Sequence, residues 1–128
     1  MPVLYPDIEQ TLVSYFNTVL EGENVRVATK HSPPGESTPP AQLVITASYG
    51  AETGQRVTKD ASVVLEIYAA SYADASSLAL YVEALVRDCV GDQIKKAEVR
   101  LGPVRTTEVS GQEKRSLDVA LVVKGTSI

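Results

Sequence analysis

A proline-rich stretch in the first third of the chain, KHSPPGESTPPAQ at residues 30–42, restricts the possible folds more than any other feature. Residues 33–40 contain four prolines, one glycine and three polar residues, and no aliphatic side chain. Proline fixes φ, lacks an N–H group and disfavours the α conformation in the residue before it, so this stretch forms neither a helix nor a central strand. We predict an extended loop over residues 30–41.

The length of this loop raises the question of its purpose. If the loop were only a connector, far fewer residues could join two strands of one sheet, because hairpin connections are usually about two to five residues long. Longer loops are often functional or disordered. Prolines lower the entropy that an extended segment loses when it binds. We therefore predict that the loop contacts an adjacent subunit or another protein. The alternative is a solvated surface loop.

The remaining sequence shows the periodicities of two helices and about five strands. Apolar residues at helical spacing indicate one helix over residues 6–22 and a second over residues 71–91. The strand predicted over residues 94–109 is expected to be broken at Gly102–Pro103. Alternating or β-rich patterns indicate strands in NVRVATK, AQLVITASYG, ASVVLEIYAAS, IKKAEVRLGPVRTTEV and SLDVALVVKGT.

Two helices cover only one face of a sheet of this size. The predicted fold class is therefore α+β, with a mostly antiparallel sheet of about five strands and two helices packed on one face. The length of 128 residues is typical of a single domain, and we predict one over residues 1–128. The other sheet face mixes apolar and charged side chains, such as Val64 and Glu66, and so suits water or a partner.

Charge is distributed unevenly along the chain. Residues 1–94 hold five Lys/Arg and twelve Asp/Glu, which gives −7; residues 95–128 hold seven and four, which gives +3, and the sum is the net −4. This asymmetry fits complementary contacts between subunits or ordinary solvated faces. A nucleic-acid surface is disfavoured, because the basic residues alternate with acids and no aromatic residues are interleaved with them.

The composition also bears on the compartment. No apolar run approaches the roughly 18 residues of a membrane-spanning helix, and no signal peptide is visible. The single cysteine, Cys89, excludes an internal disulfide and fits a reducing compartment. We expect a soluble protein made in the cytoplasm, with no membrane contact.

Few residues are suited to chemistry. His31, the only histidine, lies beside Ser32 in the proline loop, where the sequence offers nothing to orient a catalytic base. Cys89 falls on the apolar stripe of the second helix and is interpreted as a core residue. One His and one Cys do not supply the usual ligands of a zinc site. We expect a protein that is not an enzyme, with no catalytic, cofactor-binding or metal-binding residue and no cofactor.

The order of segments over nearly the whole chain resembles that of a phage protein family. The features that carry the likeness are a YPDIEQTLVSYF helix, a VRVATK strand, a Pro-rich loop leading into LVITASYG, an ASVVLEIYAAS strand, an ADASSLALYVEALV helix, a GPVR break and an LDVALVVKGT strand. This layout is similar to that of the small tail terminator proteins of long-tailed, siphovirus-type phages, especially those that infect actinobacteria. Related neck proteins, such as head-tail completion factors, share the size and often the α+β plan.

The resemblance implies a structural virion protein. Members of the family form a ring, expected to be a hexamer, at the head-proximal end of the tail tube, where the ring stops tube polymerisation and offers a joining surface for the head. The implied partners are further copies of the chain, the tail tube protein and head-tail connector or neck proteins. The implied location is the virion tail, after assembly in the host cytoplasm. DNA passes through without sequence-specific binding, and net negative charge suits such a conduit, because a basic lumen would hold the phosphate backbone.

A ring requires two unlike surfaces on each copy that complement one another. Two alternatives to a tail terminator stay open: another neck or head-tail completion protein, and a small ligand-binding or enzymatic α+β domain, which would need a closed apolar pocket with convergent polar groups. The residues predicted to contact a neighbouring subunit or the tube are Arg26, His31, Pro33, Pro34, Glu36, Pro39, Pro40, Val64, Glu66, Arg100, Arg105, Lys114 and Arg115.

Overall fold

A computed structural model describes residues 2–32, 40–52, 57–106 and 111–127. In chain order the elements are β1 (Val3–Leu4), α1 (Ile8–Val19), β2 (Val25–Ala28), β3 (Ala41–Glu52), β4 (Thr58–Ala69), α2 (Tyr72–Arg87), β5 (Ile94–Thr106), β6 (Glu113–Lys124) and β7 (Thr126–Ser127). Strands β2, β3, β4, β6 and β5, in that spatial order, form a five-stranded sheet, and β1 pairs with β7 in a separate two-stranded one. The predicted α+β class is confirmed.

Both helices begin where the sequence indicates. The Asp7 side chain accepts a hydrogen bond from the N–H of Gln10 at 3.2 Å, and the Ser71 hydroxyl accepts one from the N–H of Asp74 at 3.2 Å. Each bond satisfies an N–H group that the start of a helix leaves without a partner. Gly22 follows α1 with a φ of 88°, a conformation that glycine adopts at little cost.

The core lies between the two helices and one face of the main sheet. Alternation along the strands places the same face inward on β3, β4 and β6, and both helices pack against it. Cys89 is partly buried at the margin of this core, as its position on the apolar stripe predicts. The fully buried apolar side chains of at least Val size are Phe16, Leu43, Ile45, Val63, Leu65, Ile67, Val82, Leu117, Leu121 and Val123.

Strands β2 and β3 run parallel, with Val25 opposite Ala41 and Ala28 opposite Val44. A parallel pair needs a connection of about a dozen residues, because the chain must return from the end of one strand to the start of the next. Residues 29–40 make this connection. Topology therefore accounts for the length of the proline loop, and the view that two strands of the sheet could be joined by far fewer residues is wrong.

Strand β5 runs through Gly102–Pro103 as one element, but its pairing with β6 is interrupted there, so the expected break lies in the ladder and not in the strand itself. The register between β5 and β6 shifts between Val99 and Leu101 and again between Leu101 and Val104, and these irregularities absorb the Gly-Pro pair. β5 is an edge strand, where proline, which lacks an N–H group, is tolerated.

The β1–β7 pair depends on a close approach at Gly125. A Cβ atom there would collide with Cγ1 of Val3 and lie 3.2 Å from the carbonyl oxygen of Leu4. Two-residue strands are too short to give a sequence pattern, which is why neither strand was expected.

We predict that Gly125→Ala destabilises the protein by about 1–3 kcal/mol, because the added methyl group overpacks the contact with β1. Urea unfolding measures the effect. Gly91→Ala is the matched control, since no atom lies within 4 Å of a Cβ at that position. Equal stability of the two variants would contradict the role assigned to Gly125.

Candidate interaction surfaces

The sheet face opposite the helices, called here the second face, divides into two parts. At one end, near β2 and the start of β3, polar side chains cover it and bond to one another. Over the rest, its side chains are exposed or half-exposed. These two parts have different chemistry.

Gln42 is the centre of the covered end and is fully buried despite its polar side chain. Its Oε1 accepts hydrogen bonds from the N–H of Ser32 at 3.0 Å and from the Arg26 guanidinium at 3.1 Å, and its Nε2 donates to the Ser32 carbonyl at 2.6 Å. Arg26 also donates to the carbonyl of Lys30 at 2.7 Å. These four residues, the Gln42 network, fasten the beginning of the crossover connection to the sheet.

His31 lies next to this network and is half-buried. Its ring centroid is 4.2 Å from that of Tyr68, and its Nε2 is 3.2 Å from Oε1 of Gln112. The imidazole thus connects the crossover to β4 and to the segment before β6. These packing and hydrogen-bonding contacts all lie within the chain.

Glu66 and Lys114 form an ion pair on the same face, with Nζ and Oε2 2.7 Å apart. The hydrogen bond to Glu66 raises the pKa of Lys114 above its ordinary value. The Lys114 ammonium also lies 5.4 Å from the centroid of the Tyr68 ring. Both charges are therefore compensated within the chain.

The exposed remainder of the second face, called here the open face, spans four strands. One row across it runs from Thr46 through Val64 and Asp118 to Leu101. Leu101 is 52% exposed. Further rows add Ser48, Ser62, Glu98, Val104, Ala120 and Val122. Apolar and charged side chains alternate here, as the sequence predicts.

Two of the predicted contact residues, Arg105 and Arg115, lie on the helix side of the sheet. Arg115 is only 4% exposed and donates to the Ser76 hydroxyl at 3.1 Å and to Glu113 at 3.2 Å. Arg105 pairs with Glu113 at 3.1 Å, and hydrogen bonds from both arginines hold the pKa of Glu113 below its ordinary value. The Tyr72 ring lies against both guanidinium groups, at 5.0 and 4.7 Å. Arg115 fastens α2 to the sheet, and its burial leaves it no surface for another chain.

The other predicted contact residues are scattered. The structure brings Arg26, His31, Glu66 and Lys114 together at the covered end, and it places Val64 on the open face. Arg100 is exposed on β5, and Pro40 is exposed at the start of β3. Pro33, Pro34, Glu36 and Pro39 lie outside the described residues.

A groove of about 460 Å³ lies beside α2 and was not expected. Val25, Ala41 and Ala69 line it from the sheet, and Leu78 and Tyr81 line it from α2. Its charged lining residues are Glu23 and Asp74, both exposed. We call it the α2 groove.

The polar residues Gln42, Tyr68, Gln112 and Glu113 were also missed. Each one occupies a strand or turn position where a polar residue is usually solvated. Gln42, Gln112 and Glu113 have hydrogen-bond partners 10, 81 and 8 positions away in the chain, and a local sequence pattern does not identify contacts at such separations.

No helix in the described ranges is long and apolar enough to cross a membrane. Nor do three or more His, Cys, Asp or Glu side chains converge as metal ligands in the part of the chain that the structure describes. Neither a protein-family model nor a curated protein matches the sequence.

We predict that Gln42→Leu lowers the free energy of unfolding by about 1–3 kcal/mol, because it leaves the N–H and carbonyl of Ser32 without partners. Thr46→Val, on the same strand and face but exposed, is expected to change it by less than about 0.5 kcal/mol. Both values come from urea unfolding. A Gln42→Leu variant as stable as wild type would show that the network does not hold the crossover.

We predict that Cys89 reacts slowly with iodoacetamide. Burial raises the pKa of its thiol to about 11. The thiolate is the nucleophile, so at pH 8 only roughly one molecule in a thousand is reactive. The alkylation rate, followed by mass spectrometry, should keep rising beyond pH 9. Because the chain has one cysteine, a single label reports the site; a rate that levels off by pH 9 in folded protein would contradict the assignment.

Proposed function

We propose that this chain is a structural protein of a phage tail, namely a tail terminator that forms a ring at the head-proximal end of the tube. The order of sequence segments supports this proposal through the resemblance described above. The structural observation that carries it is the open face. Because both helices lie on the other side of the sheet, this face offers side chains of four strands to a partner.

The open face suits a protein partner better than a small ligand. A five-stranded sheet is about 20 Å across, and small-molecule sites are concave rather than flat. Val64 and Val122 lie among charged residues such as Asp118, and a mixed composition of this kind is common in protein interfaces. We assign this face, apart from its β5 edge, to contact with the tail tube protein or with a neck protein.

The remaining parts of the proposal follow from the ring. Copies contact one another through unlike surfaces, since only heterologous contacts produce a ring with more than two subunits. DNA passes through without sequence-specific binding. The proposal assigns no chemical step to any residue, and no cofactor or membrane takes part.

The proposal is tested on assembled tails by electron microscopy and by counting copies per tail. We expect a fixed number of copies, six for a hexamer, all at the head-proximal end. Val64→Arg should fold normally, because Asp118 lies opposite it and can pair with the new charge, but its tails should be overlong or fail to join heads.

Ser14→Asp is the control, an exposed substitution on α1, away from the open face. It should give tails of normal length. Finding one or two copies per tail would contradict the terminator proposal. If the Val64→Arg variant gave tails of normal length joined to heads, the assignment of the open face as a contact surface would be wrong.

A further inference from the structure

The α2 groove combines a small, apolar lining with acidic rims. Ala41, Ala69 and Ala70 leave space between α2 and the sheet, and Tyr81, which is 43% exposed, borders it. Neither Glu23 nor Asp74 forms an ion pair within the described residues, and no Lys or Arg is among the described lining residues. The chemistry of the groove favours an apolar side chain next to a cation.

Strand β5 presents this combination in Arg100 and Leu101. Arg100 is exposed and has no ion pair in the described ranges, and Leu101 is about half-exposed. Both residues lie where the register with β6 is interrupted, and Arg100 has no partner in the ladder. A side-chain pair of this kind therefore projects from an edge strand of every copy.

Addition of a strand to β5 is disfavoured. Bulges, lysines and proline are features that prevent edge strands from pairing with other chains, and β5 carries register shifts, Lys95, Lys96 and Pro103. A contact at this edge is therefore made through side chains and not by continuing the sheet.

We propose that the α2 groove binds a second copy of this chain through Arg100 and Leu101. Leu101 of one copy enters the groove of the next, and its Arg100 lies between Glu23 and Asp74. The sheet order makes such a series possible, because the groove borders β2 at one edge and β5 forms the opposite edge. Each copy therefore offers both surfaces at once, and the contact is heterologous.

Only the closure of such a series of copies into a ring rests on the proposed function. The contact between two copies can be tested in purified protein. Sedimentation velocity near 1 mM protein and low salt measures self-association. We expect Arg100→Glu and Glu23→Arg each to weaken it by about tenfold or more, and salt to weaken it in wild type. The double variant, in which the two charges are exchanged, should regain most of the wild-type association.

Lys124→Glu is the matched control, because it makes the same charge change as Arg100→Glu at an exposed strand position outside both surfaces. Its association should equal that of wild type. A wild-type protein that stays monomeric, or a double variant that associates no better than the single variants, would overturn the inference.

The two proposals fail separately. If Glu23→Arg blocked tail assembly while the purified wild-type protein remained monomeric, the groove would bind a different tail protein, and the self-docking inference would be wrong. The copy number per tail would still decide the terminator proposal in that case.

Discussion

Both helices pack against the same face of the sheet, and this packing determines which surfaces of the molecule are covered and which are exposed. The Tyr15 hydroxyl of α1 donates to the Leu85 carbonyl of α2 at 2.6 Å, which joins the two helices above the core. Arg115 fastens the other end of α2 through Ser76. With both helices placed there, the second face is either covered by other parts of the chain or left to solvent or a partner.

Among the residues that the structure describes, polar groups cover one end of that face. The parallel β2–β3 pair requires a crossover, and the crossover brings Ser32 and His31 back over the sheet. Gln42 satisfies the backbone of Ser32, so the buried polar groups are paired. The charges that were predicted to face a partner there, on Arg26 and Lys114, have partners within the chain. The surfaces that the described residues leave uncovered are the open face, the α2 groove and the β5 edge.

The sequence predicted the features that arise from local periodicity. Helix starts at Asp7 and Ser71 follow from capping side chains, and the buried strand faces follow from alternation. Strand direction was not predictable, because a valine-rich segment reads the same in a parallel or an antiparallel pair. The loop was judged longer than a connector needs because it was compared with a hairpin, whereas β2 and β3 are parallel and need a crossover.

The burial of polar residues also could not be predicted from local sequence patterns. Arg115 alternates correctly with apolar neighbours in β6 but lies under α2, where Ser76 and Glu113 accept its hydrogen bonds. Arg100 and Leu101 could be found as a basic, apolar pair, but the groove that complements them is built from four separate segments. A surface formed by segments that are distant in the sequence can be recognised only once the fold is known.

Hydroxyl-radical footprinting of free protein and of assembled tails tests most directly whether the uncovered sheet surfaces are contact surfaces. Assembly should protect Leu101, Val104 and Val122 from oxidation. Leu4 and Val90, which are 61% and 49% exposed and lie outside these surfaces, should react equally in both states. Equal oxidation of Leu101, Val104 and Val122 in free and assembled protein would contradict the account.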